Sequence, residues 1–206
     1  MKSLLILFAM LFNVFAFAQS EKLMLDTTNS EIKWAGSKEF VDSTHTGTVS
    51  VQSGYVEMTK GQIVGGELII DMTKMTNTDL TDDGYKAKLI GHLQSEDFFD
   101  TAKHPTAIFK IKKALSNSEV MGDLTIKNKT QSVTIPLSIE KTGDVYSAKG
   151  KASIDRTQFG VQYNSKSAFP NLVKTGKDKV IKNMIDLEFN IKTAAAAPSS
   201  KKTTKK

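Results

Sequence analysis

The chain has 206 residues, with 28 basic and 22 acidic side chains, three histidines and no cysteine. Without cysteine, disulfide frameworks, thiolate metal sites and an N-terminal lipid-modified cysteine are all excluded. The net charge of +6 belongs to the ends: Lys2 lies at one, Lys192, Lys201, Lys202, Lys205 and Lys206 at the other, and residues 19–190 are formally neutral. A nucleic-acid-binding domain carries its basic patch on the fold, so no nucleic-acid partner is expected.

Residues 1–18 read as a secretory signal peptide. Lys2 gives a positive start, the run 4–17 is apolar apart from Asn13, and Ala16-Phe17-Ala18 is a small-x-small cleavage site. The run is short for a membrane span, which takes roughly 20 residues. The expectation is therefore an exported chain, periplasmic or secreted. Residues 19–192 suit one domain with a real core.

Within that domain the period is two. Ile32 and Trp34, then Val49 and Val51, open the series. Val64, Gly66, Leu68, Ile70 and Met72 alternate with more polar neighbours, and Met58 and Ile63 flank a short turn before them. Next, Tyr85, Leu89 and Leu93 recur every four residues, which predicts one short helix from Asp82 to Leu93. Asp82 and Asp83 suit its positive N-terminus. Ala107, Phe109 and Ile111 resume the alternation, followed by Val120 to Ile126, Val133 to Ile139, Tyr146 to Ile154 and Ile185 to Ile191. Pro136 lacks an N–H, so its position is expected at an edge, a bulge or a strong bend. About eight strands joined by short turns give an antiparallel meander, and closing it into a barrel removes the raw edges. The fold class is mainly all-β, a closed antiparallel barrel with a short helix between strands. Small residues on the dry faces (Gly66, Ala107, Gly122, Ala148, Gly150 and Ala152) are read as leaving room for one small ligand. The competing reading is that the glycines mark bends or bulges, or let the helix pack closely.

The stretch GHLQSEDFFDTAKHPTAIFKI, residues 91–111, concentrates reactive residue types. His92 and His104 are twelve apart and outside any HExxH frame, so no metal site is expected. Phe98 and Phe99 are adjacent and cannot share one face of a regular element. One or both should plug the end of the apolar interior. Pro105 pushes His104 toward extended backbone and starts the next strand. The chain has no G-x-S-x-G elbow, no phosphate loop and no nucleophile beside a base. The pairs Asp82-Asp83 and Glu96-Asp97 read as solvated or capping. Neither an enzyme nor a cofactor is expected.

This stretch resembles the signature of the YceI-like family. GDLTIKNKTQSVTIPLSI (122–139) and ASIDRTQFGV (152–161) resemble two further segments of it, while ELIIDM (67–72) and MIDLEFNI (184–191) match weaker strand patterns. The resemblance implies a lipocalin-like barrel with a helix against it, in exported bacterial proteins that hold a long isoprenoid or fatty chain. The expected function is thus non-catalytic binding or carriage of a polyisoprenoid, quinone precursor or fatty-chain lipid in the cell envelope. The alternative is an envelope structural or interaction protein without lipid. Candidate interior residues are Trp34, Leu68, Ile70, Leu89, Phe98, Phe99, Phe109, Leu124, Ile135, Leu137, Tyr146, Ala148, Phe159, Leu187 and Phe189. Candidate headgroup contacts are Arg156, His45 and His92. Arg156 is read first as a lock at a strand end, where its fork suits several acceptors, and second as a headgroup contact. Segment 34–47 offers only His45 and Lys38 where the family often has a basic or histidine-bearing segment, and 167–179 does not align. Residues 193–206 read as a disordered basic tail, either solvated or in peripheral contact with a membrane surface. The oligomeric state is left open, a dimer included.

Overall fold

The computed structural model describes residues 20–195 of the chain. The expected signal peptide, 1–18, and the tail from residue 196 onward lie outside the described residues.

The strands are β1 (Glu21–Met24), β2 (Glu31–Lys38), β3 (Thr44–Thr59), β4 (Gln62–Asp71), β5 (Thr106–Ser116), β6 (Glu119–Ile126), β7 (Lys129–Pro136), β8 (Ser138–Thr142), β9 (Val145–Asp155) and β10 (Ile181–Lys192). Helix α1 (Asp83–Gln94) separates β4 from β5, and a single-turn helix α2 (Leu172–Thr175) precedes β10. One antiparallel sheet runs in the order β7-β6-β5-β4-β3-β2-β10-β9-β8, with β1 paired to β3 off that path. The long β3 is the hinge of the arrangement. Its first half pairs with β2 and its second half with β4 and β1. Segment 76–79 takes over beside the first half, through Thr76 N–H to Thr48 O (2.9 Å) and Thr78 N–H to Thr46 O (2.9 Å).

The expected closed barrel of about eight strands is corrected to this curled, ten-stranded sheet. Among the described residues no ladder joins its two edge strands, β7 and β8. The reason lies in the run 133–139, which reads as one strand but is two. Pro136 ends β7, the chain turns at Leu137, and β8 begins at Ser138. The sheet's edges are therefore consecutive in sequence, with proline at the corner where no N–H can donate. The seam is bridged instead by Gln131 Nε2 donating to Gln158 O (3.3 Å).

Two further expectations change on inspection. Val64 is exposed, because a bulge between the Glu57–Gly65 and Met58–Ile63 pairs shifts the inward phase to Ile63 before it and Leu68 after it. Tyr85 is 67 % exposed, while Ile90 and Leu93 pack on the core. Helix α1 is a lid laid across an end, with no fully buried residue. Its start follows the sequence: Asp82 accepts from Tyr85 N–H at 2.9 Å.

The interior glycines are packing devices. A Cβ on Gly150 would lie 2.6 Å from the Phe189 ring and 2.3 Å from Pro136 O, and one on Gly122 would lie 2.7 Å from the Phe109 ring. Gly150 pairs directly with Phe189 across the ladder. In each case an aromatic ring folds over the missing side chain of a neighbouring strand. At these two positions the glycines make room for a ring of the neighbouring strand, and neither for a ligand nor for the helix. Gly150→Ala is expected to lower stability by about 1–3 kcal/mol through overpacking. Gly36→Ala, whose Cβ meets nothing within 4 Å, should shift the urea midpoint far less; equal shifts would refute the account.

Candidate functional site: a two-chambered apolar interior

The curled sheet encloses two chambers in line. The lower one is lined by apolar side chains of β3 to β10, among them Val56, Phe109, Val120, Ile135 and Phe189. The upper one lies under α1 and the turn after it, between Trp34, Met72, Leu89, Phe98, Phe99 and Ile185. Ile32, Ile70, Leu124, Ile154 and Leu187 line both and form a waist. The free space is about 160 Å³ in the lower chamber and about 200 Å³ in the upper, many times what one water takes up, so neither chamber is packed solid. Apolar walls leave water few partners, so such space favours apolar matter.

Polarity is uneven along the axis. Ser37, Lys38, Ser43, His45, His92, Arg156 and Lys182 all line the upper chamber. Trp34 Nε1 is buried there with no hydrogen-bond partner among the described residues. The lower chamber ends at Leu25, Tyr146 and Thr193. Thr193 is 3 % exposed and its hydroxyl accepts from Tyr146 N–H at 3.0 Å, so it belongs to the fold rather than to the expected tail.

The sequence candidates are distributed as follows. Leu68, Phe109, Ile135, Leu137, Tyr146, Ala148 and Phe189 line the lower chamber. Trp34, Leu89, Phe98, Phe99, His45, His92 and Arg156 line the upper, and Ile70, Leu124 and Leu187 line the waist. Phe159 lines neither; it is buried in the core beside Val161. Met75 and Ser43 line the upper chamber from loops, where no periodicity marks them, whereas Ile126, Ile139 and Ile185 sit in phase on strands already read as such.

The turn after α1 explains how adjacent phenylalanines both face inward. Phe98 N–H donates to Ser95 O (3.1 Å) and Phe99 N–H to Leu93 O (3.0 Å), while Asp100 takes a positive φ of 49°. Lys127 Nζ secures the turn by donating to Phe98 O at 2.7 Å. The His92 ring meets Phe98 and Tyr163 edge-on at 5.2 and 4.6 Å.

Arg156 is a lock. It is 1 % exposed, and its fork donates to Lys182 O (3.0 Å), Val161 O (2.8 Å) and Ile181 O (3.2 Å). It thereby ties the end of β9 to the start of β10. Asp155 instead accepts from Thr157 N–H and Oγ1. Burial lowers the Arg156 pKa from its ordinary value to about 10, against the pull of Asp155. At neutral pH the guanidinium is charged in folded and unfolded chains alike, so its burial costs energy that the three carbonyls must offset. His45 and Asp79 form a second clamp at the rim. Asp79 accepts from Thr46 N–H (2.7 Å) and faces His45 Nδ1 at 2.8 Å. Burial pushes the Asp79 carboxyl up, but hydrogen bonds from Thr46, His45 and Asn77 outweigh it, and its pKa is lowered. Among the described residues, no three of His, Asp or Glu converge as metal ligands.

The fold and this interior define a class: a curled antiparallel sheet around an apolar bore with a polar rim. The family model of the YceI-like domain matches residues 23–193. The chain belongs to the YceI-like family. It is 34% identical over 77 residues to protein YceI of Escherichia coli, covering 36% of this chain and 40% of that one. It is 32% identical over 102 residues to a UPF0312 protein of Pseudomonas aeruginosa, covering 45% of this chain and 53% of that one. The chain thus spans about half or less of the curated relatives it matches. Among solved structures it is similar in fold to BcnA of Burkholderia cenocepacia (TM-score 0.62, 20% identity, 82% of this chain and 99% of that one). It is also similar in fold to a polyisoprenoid-binding domain of Saccharophagus degradans (TM-score 0.59, 15% identity, 86% and 99%).

Two outcomes test this site. Arg156→Met leaves three buried carbonyls without a donor and should destabilise by on the order of 3 kcal/mol in urea unfolding; a loss below half of that would remove the lock. Asp79 has a lowered folded pKa, so its contribution is complete above the ordinary value of 3.8 and is lost as pH falls through the folded value. Amide exchange at Thr46, Thr76 and Thr78 should therefore accelerate below that point relative to Asp79→Asn at the same pH.

Proposed function

We propose that the protein binds a long-chain hydrophobic molecule, a polyisoprenoid, quinone precursor or fatty-chain lipid, and carries it without chemical change in the cell envelope after export. The observation that carries this reading is the pair of aligned apolar chambers joined by an aliphatic waist. A strand rises about 3.3 Å per residue, so β10, with 12 residues along the bore, spans on the order of 35 Å. That length suits a chain rather than a compact ligand. Burial contributes roughly 25 cal/mol per Å² of apolar surface before ordering costs. The polar groups at the upper rim suit an oxygen-bearing head, with the tail threaded past the waist. The polyisoprenoid-binding neighbour of similar fold supports the same ligand class, and the N-terminal pattern of residues 1–18 supports export.

Native mass spectrometry of protein from the exported fraction, followed by organic extraction, should reveal a bound mass that moves into the organic phase. Ala148→Trp fills the lower chamber and should abolish that mass while a cooperative unfolding transition is retained. Protein that is recovered free of lipid and fails to take up any added isoprenoid or fatty chain would overturn the proposal in favour of a structural role.

A further inference from the structure

The upper rim carries an apolar tip ringed by lysine. Phe40 and Val41, each 41 % exposed, sit in the turn between β2 and β3. Phe169 is 50 % exposed in the segment before β10, and Met184, near the start of β10, is 43 % exposed. These are half of the eight exposed large apolar side chains among the described residues. The elements that carry them are joined. Glu39 N–H donates to Val180 O (2.9 Å), Lys38 pairs with Ile181, and Ser165 bridges Ile181. Isolated exposed apolar residues need no explanation, but a cluster rimmed by polar groups marks an interaction surface.

Charge identifies what the surface faces. Segments 38–43 and 164–184 hold Lys38, Lys166, Lys174, Lys177, Lys179 and Lys182 against Glu39, Asp42 and Asp178. None of the six lysines makes an ion pair with any described residue, whereas Lys110, Lys112, Lys149 and Lys151 on the sheet pair with Glu or Asp. Lys166 and Lys177 hold their ammonium groups 5.9 and 6.0 Å from the Phe40 ring centroid. Residues 19–190 are neutral as a whole, so the excess of six lysines over three acids in these two segments is offset by net negative charge elsewhere on the fold. The upper chamber comes to the surface beside these segments, since Lys38, Lys182 and the exposed Met184 line it.

We propose that this end docks on an anionic lipid surface, with Phe40, Val41 and Phe169 inserted among the headgroups, the lysines facing lipid phosphates, and the chamber mouth turned toward the bilayer. The inference rests on the carrier reading and adds the route by which a chain enters or leaves. Aromatic and aliphatic side chains beside lysine are the combination that holds a protein in the interface. Strand β10 runs from Ile181 at this end to Lys192 at the other, where Thr193 lines the lower chamber.

The test separates docking from carriage. The full chain is sedimented with vesicles of phosphatidylglycerol and phosphatidylcholine, and with phosphatidylcholine alone. Trp34, the single tryptophan, lines the upper chamber and reports farnesol uptake by its fluorescence. Binding should require the anionic lipid and weaken with salt. Lys166→Glu with Lys177→Glu should reduce it about 30-fold or more, and Phe40→Asp with Phe169→Asp should abolish it. Neither double variant should change the farnesol response. Vesicle binding that is absent in the unsubstituted chain, or unaltered in both variants, overturns docking while an intact farnesol response leaves carriage standing. A missing farnesol response with substitution-sensitive vesicle binding does the reverse. A dimer that Phe40→Asp with Phe169→Asp splits, with vesicle binding unchanged, assigns the patch to a second copy and overturns the proposal.

Discussion

An antiparallel sheet must dispose of its two edge strands, and in this chain they are neighbours in sequence. Because β7 and β8 are separated by a single residue, the sheet can satisfy chain connectivity only by curling until its edges meet. Pro136 at the corner supplies no donor, so the meeting is not a ladder, and the edge is blunted against pairing with another chain. The curl creates an inside. Every residue facing inward is then committed to an apolar wall, and the two ends of the bore must be stopped by something other than the sheet.

The ends are stopped differently. Below, Leu25 and Thr193, which bridge one another, bring the two termini of the fold together beside Tyr146. Above, α1 and the double-phenylalanine turn roof the chamber, held by Lys127, by the His92 contacts and by Asp100 in its left-handed conformation. The roof is thinner than the floor, because no α1 residue is fully buried. Elements with few buried contacts open at lower free energy than the core. The upper end is thus the compliant one, and Arg156 and Asp79 keep the strands beneath it in register while the roof is free to yield.

How much of this was legible in the sequence follows from what each feature depends on. Alternation is local, so β4 to β7, β9 and β10 could be read from it, and so could the inward phase of Leu68, Phe109 and Leu187. Phase breaks are not local: the bulge that turns Val64 outward depends on the pairing of Glu57 with Gly65. Sheet closure is less local still, since one alternating run became both edges of the sheet. The short β1 was missed because four residues without strong alternation offer no signal. Phe159 is apolar and in the right region, but it ends a single helical turn, Arg156–Phe159, that buries it in the core rather than in the bore. Arg156 was legible as a lock because a lone arginine beside a strand end needs acceptors, although which carbonyls would supply them was not.

The glycines show why a compositional cue can point to the right feature for the wrong reason. Small residues on the dry faces suggested vacant space, and the interior does contain space. Yet Gly122 and Gly150 do not provide it, since Phe109 and Phe189 occupy their shadows. Each glycine lets the ring of the neighbouring strand sit where a Cβ would clash, at the wall of the lower chamber. The space beside those two glycines is thus taken by rings, while Ala148 and Ala152, which line the lower chamber, leave room there.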